Sequence, residues 1–286
     1  MMKTDASAFM TMTFALHPAP WLERIEPEPS IERMERSARL AKAMNAASVL
    51  FEGRVADHTV AIVRYAPYQQ ICAHAHEEDG ITVVLHGEVV EEAEHRSTVA
   101  GAGWAGARPR GLRHTNRFGP HGAVVLAIIP DQPSFERFPR RWRWLESPMA
   151  YRAGLRVLAS GEDALIQLLA TLTDDPRYPA NPHCAMMARE KLERSARRLS
   201  VASLARQLEL HPVYLARQFR RAFGVSMREY QTILMVRRAN QALLSGRASL
   251  TRIAYECGFA DQSHMCRAFR SVAGWKPSSL ERDGGS

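Results

Sequence analysis

The sequence has only four cysteines among 286 residues, and no two of them have the spacing of a metal-binding pair. They are Cys72, Cys184, Cys257 and Cys266. A small secreted scaffold depends on a dense, paired set of cysteines, so the sequence excludes that class. We therefore expect reduced thiols and a cytoplasmic protein.

Long hydrophobic runs are also lacking. No apolar stretch approaches the ~20 residues that cross a bilayer, and the short run Phe9–Leu16 lacks a convincing signal-peptide cleavage site. We therefore expect no membrane attachment. Hydrophobic residues still make up 46% of the chain, which is long enough for two domains with substantial cores.

An excess of positive charge is absent from the first 183 residues, which carry 20 Lys and Arg against 22 Asp and Glu. From Cys184 to the end there are 18 Lys and Arg against 8 Asp and Glu, a net charge of +10. A basic excess confined to one region is typical of a domain that neutralises phosphates. The C-terminal third is therefore predicted to bind nucleic acid.

Residues 249–277 have the pattern of two short helices joined by a tight turn. Ser249 is a good N-cap residue, and apolar residues follow at the spacing of one helical face. Gly258 can adopt the left-handed conformation that ends a helix, and Asp261 or Ser263 can cap the next one. The apolar residues of this second helix are Met265, Phe269 and Val272.

Residues 201–224 repeat this pattern, although their turn has no glycine. Pro212 stands near the start of the second helix, where its missing N–H costs nothing. Four residues of one copy match four residues of the other, and in both copies they are separated by intervals of two, two and five residues. The matched pairs are Leu215 with Met265, Arg217 with Arg267, Phe219 with Phe269, and Gly224 with Gly274. The sequence thus predicts two helix-turn-helix units.

Between the copies, Ser226 can cap a helix that continues to about Ser245. About 20 residues at 1.5 Å each give a length of roughly 30 Å. Successive major-groove faces of B-DNA lie ~34–36 Å apart. One chain can therefore present both units to adjacent turns of a duplex. The same periodicity is also typical of an ordinary all-α core, but the confined basic charge favours DNA.

The last 100 or so residues resemble the DNA-binding domain of the AraC family of bacterial transcription regulators, which has two helix-turn-helix units joined by a helix. The resemblance is carried by Ile253–Phe259, Ser263, Arg267, Phe269, Gly274 and Pro277. Met227 stands where the first copy would be expected to have proline. The resemblance implies a sequence-specific regulator that binds double-stranded promoter or operator DNA, as a homodimer, and contacts RNA polymerase if it is an activator.

The second helix of each unit is expected to lie in the major groove with its solvent-facing residues on the bases. The candidate DNA contacts are Val213, Ala216, Arg217 and Arg220 in the first unit, and Gln262, Ser263, Cys266, Arg267 and Arg270 in the second. The family's base-contacting positions select Val213, Ala216 and Arg217. Gln262 and Arg267 suit adenine and guanine respectively. For the arginines, a structural salt bridge is the alternative.

The N-terminal part has a different pattern. Residues 1–45 are predicted to be an extension that includes one amphipathic helix, Ser30–Met44. Residues 46–138 contain short β-like runs between Gly- and charge-rich turns, which is typical of a small β-barrel or sandwich. The clearest runs are His58–Ala66, Gly80–Val89 and Gly122–Pro130.

Two segments within 46–138 resemble the motifs of the cupin fold, a common effector domain of AraC-type regulators. They are His74-Ala75-His76, and Gly103, Pro109, Gly111 and His114 at their characteristic spacing. On a strand, His74 and His76 share one face. In metal-binding cupins the matching histidines and a glutamate are ligands, but the glutamate position here is Gly80, with Glu78 and Asp79 out of register.

Several roles therefore stay open for His74, His76 and His114. Neutral imidazoles suit Zn, Fe, Ni or Cu, so the three can hold a transition metal. They can instead contact an organic effector or be purely structural. We expect a small-molecule effector, no enzymatic activity and no certain cofactor; the alternative is a cupin metalloenzyme or metal sensor fused to a DNA-binding module.

The remaining segments complete the predicted architecture. Residues 139–173 are predicted to be helical and to offer a dimerisation surface. Within residues 139–144, packing of the tryptophans is favoured over a second nucleic-acid contact. Residues 174–183 are predicted to be a linker and 184–286 the DNA-binding domain. The fold class is α+β: a cupin-like barrel with flanking helices, then an all-α domain with two helix-turn-helix units joined by a long helix.

Overall fold

The computed structural model describes residues 48–55, 58–130, 141–173, 183–195, 197–245 and 248–277. The predicted extension 1–45 and nearly all of the linker lie outside these residues. The strands are β1 Ser48–Val55, β2 His58–Tyr65, β3 Gln70–His74, β4 Gly80–Ala93, β5 Arg96–Gly101, β6 Trp104–Arg108, β7 His114–Pro130 and β8 Arg143–Glu146. The helices are α1 Pro148–Ser160, α2 Glu162–Thr173, α3 His183–Arg194, α4 Val201–Gln207, α5 Pro212–Phe223, α6 Met227–Ser245, α7 Leu250–Glu256 and α8 Gln262–Ala273. The predicted α+β class is confirmed.

The strands form one antiparallel sheet in the order β1-β2-β7-β4-β6-β8, with β3 also paired to β7 and β5 to β4. The long strands β4 and β7 stay paired along most of their length, and the pairing shifts register on either side of Gly87. Gly87 and the nearby Gly122 both have positive φ angles. A Cβ atom on Gly87 would lie 2.0 Å from the carbonyl oxygen of Gly122, so only glycine fits there. On its other edge, β4 pairs with β6 before this point and with β5 after it, while β7 pairs with β3 before it and with β2 after it. Residues of β2, β3, β4, β6, β7 and β8 line a common cavity, so the sheet forms a barrel.

Both faces of the sheet are buried. Ala61, Val63 and Phe118 belong to the inner cluster, whereas Val60 and Val83 belong to an outer cluster that includes the helices. This arrangement follows from the alternation of side chains along a strand. Because apolar residues occupy both faces of β2, the strand has a continuous apolar run instead of an alternating pattern.

Residues 139–173 differ from the prediction in two ways. Residues 143–146 form β8, which pairs with β6. A four-residue strand whose partner is remote in sequence leaves little local pattern to detect. The helical part is also divided into α1 and α2 at Gly161, which has φ +59°.

The apolar face of α2 is not available as a dimer surface. Ala164, Leu165, Leu168 and Leu172 are each no more than 2% exposed, and they pack in the chain's own core. The predicted dimerisation surface is therefore wrong for these residues, because the face that the periodicity identified packs mainly against α1. A homodimer formed through other residues stays a prediction.

The two helix-turn-helix units are α4 with α5 and α7 with α8, and α6 joins them as predicted. Ser226 accepts a hydrogen bond from the backbone N–H of Glu229 at the start of α6, at 3.2 Å. Asp261, and not Ser263, caps α8 by accepting from the N–H of His264. Each recognition helix ends at a left-handed glycine, Gly224 or Gly274.

The two turns have the same geometry although their sequences differ. The N–H of Leu210 donates to the carbonyl of Ala205, and the N–H of Phe259 donates to that of Ala254, both at 2.9 Å. The left-handed position is occupied by Gly258 in the second unit, with φ +86°, and by Glu209 in the first, with φ +55°. The first turn therefore forms without glycine, at the cost of backbone strain at Glu209.

Helix α1 lies between the barrel and the second helix-turn-helix unit. A Cβ atom on Gly154 would lie 2.8 Å from Val83 of the barrel, and one on Gly274 would lie 2.6 Å from Cβ of Ala159. The buried amide of Asn240 on α6 donates to the hydroxyl of Tyr151 on α1, at 3.1 Å. Barrel, α1 and second unit thus share one core, whereas the first unit packs in a separate cluster.

We expect Glu209→Gly to increase the free energy of unfolding by about 0.5–1 kcal/mol, because glycine adopts a positive φ without the steric cost of a Cβ atom. Urea unfolding followed by circular dichroism measures the change. Glu209→Ala is the matched control, since it removes the exposed side chain but keeps the Cβ atom. Equal stability of the two variants would show that the turn is unstrained.

Candidate ligand pocket and nucleic-acid interface

The three predicted histidines converge at one end of the barrel. His74 ends β3, His114 begins β7, and the two are paired across these strands. His76 lies two residues beyond β3, and one ligand atom from each of the three rings lies within 4.8 Å of the others. The predicted grouping of these residues is therefore present in the structure.

Hydrogen bonds to backbone carbonyls orient the rings of His74 and His114, and burial keeps the rings of His76 and His114 neutral. The Nδ1 atom of His74 lies 2.9 Å from the carbonyl of Cys72, and that of His114 lies 3.1 Å from the carbonyl of Leu112. When Nδ1 carries the proton, each Nε2 is left as the free electron-pair donor. Burial, followed by the nearby Arg108 charge, lowers the pKa of His76 to about 3.

Burial similarly lowers the pKa of His114 to about 4, with Arg108 and His74 acting in the same direction. Both rings are therefore neutral at physiological pH, as metal ligation requires. Two metal–nitrogen bonds of ~2.1 Å span at most ~4.2 Å. The ligand atoms of the three rings lie within 4.8 Å of one another, so a small inward rotation of the rings would bring them to the separation that a transition metal requires.

A buried carboxyl group, Glu91, was missed by the sequence analysis. It is 4% exposed, and its Oε2 atom accepts hydrogen bonds from the indole N–H groups of Trp142, at 2.8 Å, and Trp144. Its Oε1 atom lies 3.7 Å from Nε2 of His114. Burial raises the pKa of Glu91. In the sequence, Glu91 lies two residues from both Val89 and Ala93, so a strand places all three on the same face. This spacing was the signal that could have identified Glu91 as an inward-facing residue.

The tryptophans pack as predicted, since Trp142 is 7% exposed and both indoles donate to Glu91. A second nucleic-acid contact would need exposed rings. Trp144 also lines the pocket, together with the three histidines. Trp142 and Trp144 are therefore part of the barrel's packing.

Gly80 leaves the expected glutamate ligand absent, and neither acidic neighbour replaces it. Asp79 accepts a hydrogen bond from the backbone of Arg110, at 2.8 Å, and Glu78 is exposed. The space beside Gly80 is filled by a cation: a Cβ atom there would lie 2.5 Å from Nη2 of Arg108. Arg108 was the second residue that the sequence analysis missed.

The predicted DNA-contacting residues lie on two recognition helices. On α5, Val213, Arg217 and Arg220 are exposed and Ala216 is half-buried. On α8, the exposed residues are Ser263, Arg267 and Arg270, and the half-buried ones are Gln262 and Cys266. The amide oxygen of Gln262 accepts a hydrogen bond from the hydroxyl of Thr251, at 3.1 Å.

The salt-bridge alternative for the arginines is not supported. Among the residues that the structure describes, Arg217, Arg220, Arg267 and Arg270 make no ion pair. By contrast, Arg252 on α7 pairs with Glu256 at 2.7 Å. Exposed, uncompensated guanidinium groups on both recognition helices provide the charge that binding to phosphates and base edges requires.

Comparison with known proteins identifies the C-terminal region. Residues 204–283 match the family model of a helix-turn-helix domain. The transcriptional activator RhaS of Escherichia coli is 33% identical over an alignment of 112 positions, which covers 33% of this chain and 40% of RhaS. The C-terminal region is therefore similar to known helix-turn-helix domains. The chain spans about 40% of the length of the RhaS relatives that it matches.

Two solved structures are similar to larger or different parts of the chain. ToxT of Vibrio cholerae is 12% identical, with 80% of this chain and 100% of that chain covered and a TM-score of 0.33. An RmlC-like cupin of Shewanella frigidimarina is 17% identical over 27% of this chain and 69% of its own, with a TM-score of 0.25. Neither likeness is close enough to transfer a function to this chain.

Within the described parts of the chain, no helix combines the length and the apolar character that a bilayer crossing demands.

With bound metal removed by a chelator, we expect the free energy of unfolding to fall as the pH decreases from about 6.5 to about 4. The pKa values of His76, about 3, and His114, about 4, lie below the ordinary imidazole value. In that interval the unfolded chain binds protons that the folded one excludes, so stability is complete above the interval and is lost on acidification. Urea midpoints measured across this range test the expectation.

His76→Gln is the informative variant, because an amide does not titrate between these pH values. It should reduce the slope of stability against pH. His95→Gln, at an exposed position, should leave the slope unchanged. A wild-type slope in His76→Gln would contradict the assigned neutral state.

Proposed function

We propose that this chain is a sequence-specific transcription regulator that binds double-stranded DNA and is controlled by a small-molecule effector in its barrel. The observation that carries the proposal lies on the two recognition helices of the helix-turn-helix domain. Their exposed arginines make no ion pair with any described residue. The protein acts in the cytoplasm, binds its effector without chemical turnover and has no membrane partner. Homodimerisation, and contact with RNA polymerase if it activates, belong to the same proposal.

The length of α6 supports simultaneous contact by both units. Its 19 residues span about 28 Å at 1.5 Å each. Adjacent major-groove faces lie ~34–36 Å apart, a distance comparable to this length. Because α6 joins the two units, α5 and α8 would contact successive turns on one side of the duplex.

Strand β8 provides a route from the pocket to the DNA-binding domain. Trp144 donates to Glu91 inside the barrel. Two residues later, Glu146 lies 3.5 Å from Arg189 on α3 and 3.8 Å from Arg237 on α6. An effector that repositions Glu91 would shift β8 and these ion pairs together. It regulates DNA binding only if its affinity differs between the two arrangements.

A transition metal held by His74, His76 and His114 is the second part of the proposal. The neutral rings and their separation support it. When bound, the ion would polarise an oxygen of the effector or act as a fixed positive charge. The protein's contribution is to hold three imidazoles with free Nε2 atoms at the cavity wall. A metal sensor or a cupin metalloenzyme is the alternative use of these residues.

Arg267→Ala and Arg217→Ala should each weaken binding to a cognate site by ~1–3 kcal/mol, which corresponds to roughly 5- to 150-fold, because each removes a contact to a base edge. The cognate site is first selected from a random DNA pool, and affinity is then measured by fluorescence anisotropy. Arg110→Ala removes an exposed arginine of the barrel and is the matched control. An equal loss on random DNA would identify phosphate contacts instead of base contacts.

Elemental analysis of the purified, tag-free protein should find close to one transition-metal ion per chain, and none in His74→Ala/His76→Ala, because two of the three imidazole ligands are lost. His95→Ala/His121→Ala removes two exposed histidines and should keep the metal. A wild-type protein without metal, even after reconstitution, would leave the organic effector as the sole occupant. Turnover that depends on His74, His76 and His114 would establish the enzyme alternative.

A further inference from the structure

The barrel cavity contains a positively charged side chain, Arg108, whose hydrogen-bond donors are not all satisfied by the described residues. Arg108 ends β6 and lines the cavity together with the histidines and Tyr65. Its Nη1 atom is buried and has no hydrogen-bond partner among the described residues. An unsatisfied buried donor costs about 1–3 kcal/mol, and more when it is charged. A bound group that accepts this hydrogen bond would therefore be strongly favoured.

The structure shows why the guanidinium lies there. Gly80 is the cross-strand partner of Arg108. Cross-strand partners place their side chains on the same face of the sheet. Any side chain at position 80 would collide with the guanidinium, since its Cβ atom would lie 2.5 Å from Nη2. At the position where the cupin resemblance implies a carboxylate ligand, Gly80 leaves a space, and the guanidinium of Arg108 fills it.

Protein groups compensate the charge of Arg108 only in part. The nearby Glu91 carboxyl already accepts two indole N–H groups, and it makes no ion pair with Arg108 in the described part of the chain. Burial lowers the pKa of Arg108, but an arginine stays protonated at physiological pH. Burial also raises the pKa of Tyr65 to about 12, which keeps that hydroxyl neutral. Glu78 and Asp79 attract the charge of Arg108 more weakly than Glu91 does, and no described residue accepts a hydrogen bond from its Nη1 atom. The cavity therefore favours a negatively charged group that accepts this hydrogen bond.

Size restricts the ligand further. The cavity has a volume of about 70 Å³. Since one water molecule requires ~10–15 Å³ on this scale, the cavity holds a group of roughly five or six water-sized atoms beside Arg108. The planar fork of arginine matches a carboxylate, which accepts two parallel hydrogen bonds.

We propose that the barrel pocket binds a small organic carboxylate of about six non-hydrogen atoms, with Arg108 as the residue that anchors its carboxylate group. The inference rests on the proposed function, because it names the chemical class of the effector. The imidazoles of His74, His76 and His114 face the rest of the ligand, directly or through a metal ion. The Gly80–Arg108 pair is thus the specificity determinant of the site.

Lactate and lactamide test the proposal, because they have the same number of non-hydrogen atoms and differ in charge. Thermal unfolding of the full chain is measured against increasing concentrations of each, with acetate, pyruvate and oxalate as further acids, before and after treatment with a chelator. At least one acid should raise the melting temperature saturably, and lactamide should not. Failure of all four acids, or an equal response to lactamide, overturns the proposal.

Arg108→Gln should weaken binding of the active acid by at least tenfold, whereas Arg110→Gln, at an exposed position two residues away, should not. Inorganic phosphate and sulfate are titrated in parallel. If they stabilise the protein as much as the acid does, the site is a general anion site and the carboxylate assignment fails. Retained acid binding in folded Arg108→Gln, with folding checked by circular dichroism, also overturns the anchoring role.

DNA affinity on the same samples separates this inference from the proposed function. An acid that binds through Arg108 and changes affinity for the selected DNA site supports both. An acid that binds without changing DNA affinity confirms the ligand class and refutes its role as effector. Absence of sequence-specific DNA binding refutes the proposed function, while the stability shift still decides the ligand class.

Discussion

Packing around helix α1 is the constraint on which the arrangement of the whole chain depends. One side of the helix contacts the outer face of the barrel at Gly154, and another contacts the second helix-turn-helix unit. A helix buried on several sides must be apolar nearly all round, and α1 contains Ala150, Tyr151, Ala153, Leu155 and Val157 as buried residues. Its small residues bring the neighbouring elements close, and close packing makes the core sensitive to any change of volume.

The shared core gives the two DNA-binding units different surroundings. The second unit packs with α1 and the barrel, whereas the first unit has its own cluster around Leu204, Leu215 and Phe219. Polar contacts follow the same division. Asn240 of α6 bonds to Tyr151 of α1, while Tyr230 of α6 donates to Glu193 of α3. The position of the second unit is therefore tied directly to the barrel, and that of the first is tied mainly through α6.

Local pattern was sufficient to predict the helix-turn-helix units and the main strands. Caps, apolar periodicity and left-handed glycines are encoded within a few residues, so α4 to α8 were correctly located, and the predicted runs overlap β2, β4 and β7. Both long strands continue beyond those runs, β4 to Ala93 and β7 from His114. The three histidines converge as the motifs predicted, although His76 lies beyond β3 and not on a strand. The sequence did not indicate that Glu209 replaces the turn glycine, because a positive φ at a residue other than glycine has no local sequence signal.

The features that were missed all depend on contacts between distant residues. Strand β8 exists because β6 offers it an edge, and Glu91 is a pocket residue because two tryptophans about 50 positions later donate to it. Arg108 is significant only beside Gly80, its partner on another strand. The face of α2 was correctly identified as apolar, but which surface covers it is a property of the tertiary structure.

The shared core also has a consequence for synthesis on the ribosome. Val83 and Val124 of the barrel belong to the same core as Phe269 and Trp275, which are translated more than 140 residues later. Until those last helices emerge, part of the apolar surface of the barrel and of α1 faces water, where such surfaces are prone to aggregate. A nascent chain of this protein therefore depends on its last helices to cover this surface, and a product that ends before α8 would expose part of the shared core and be prone to aggregate.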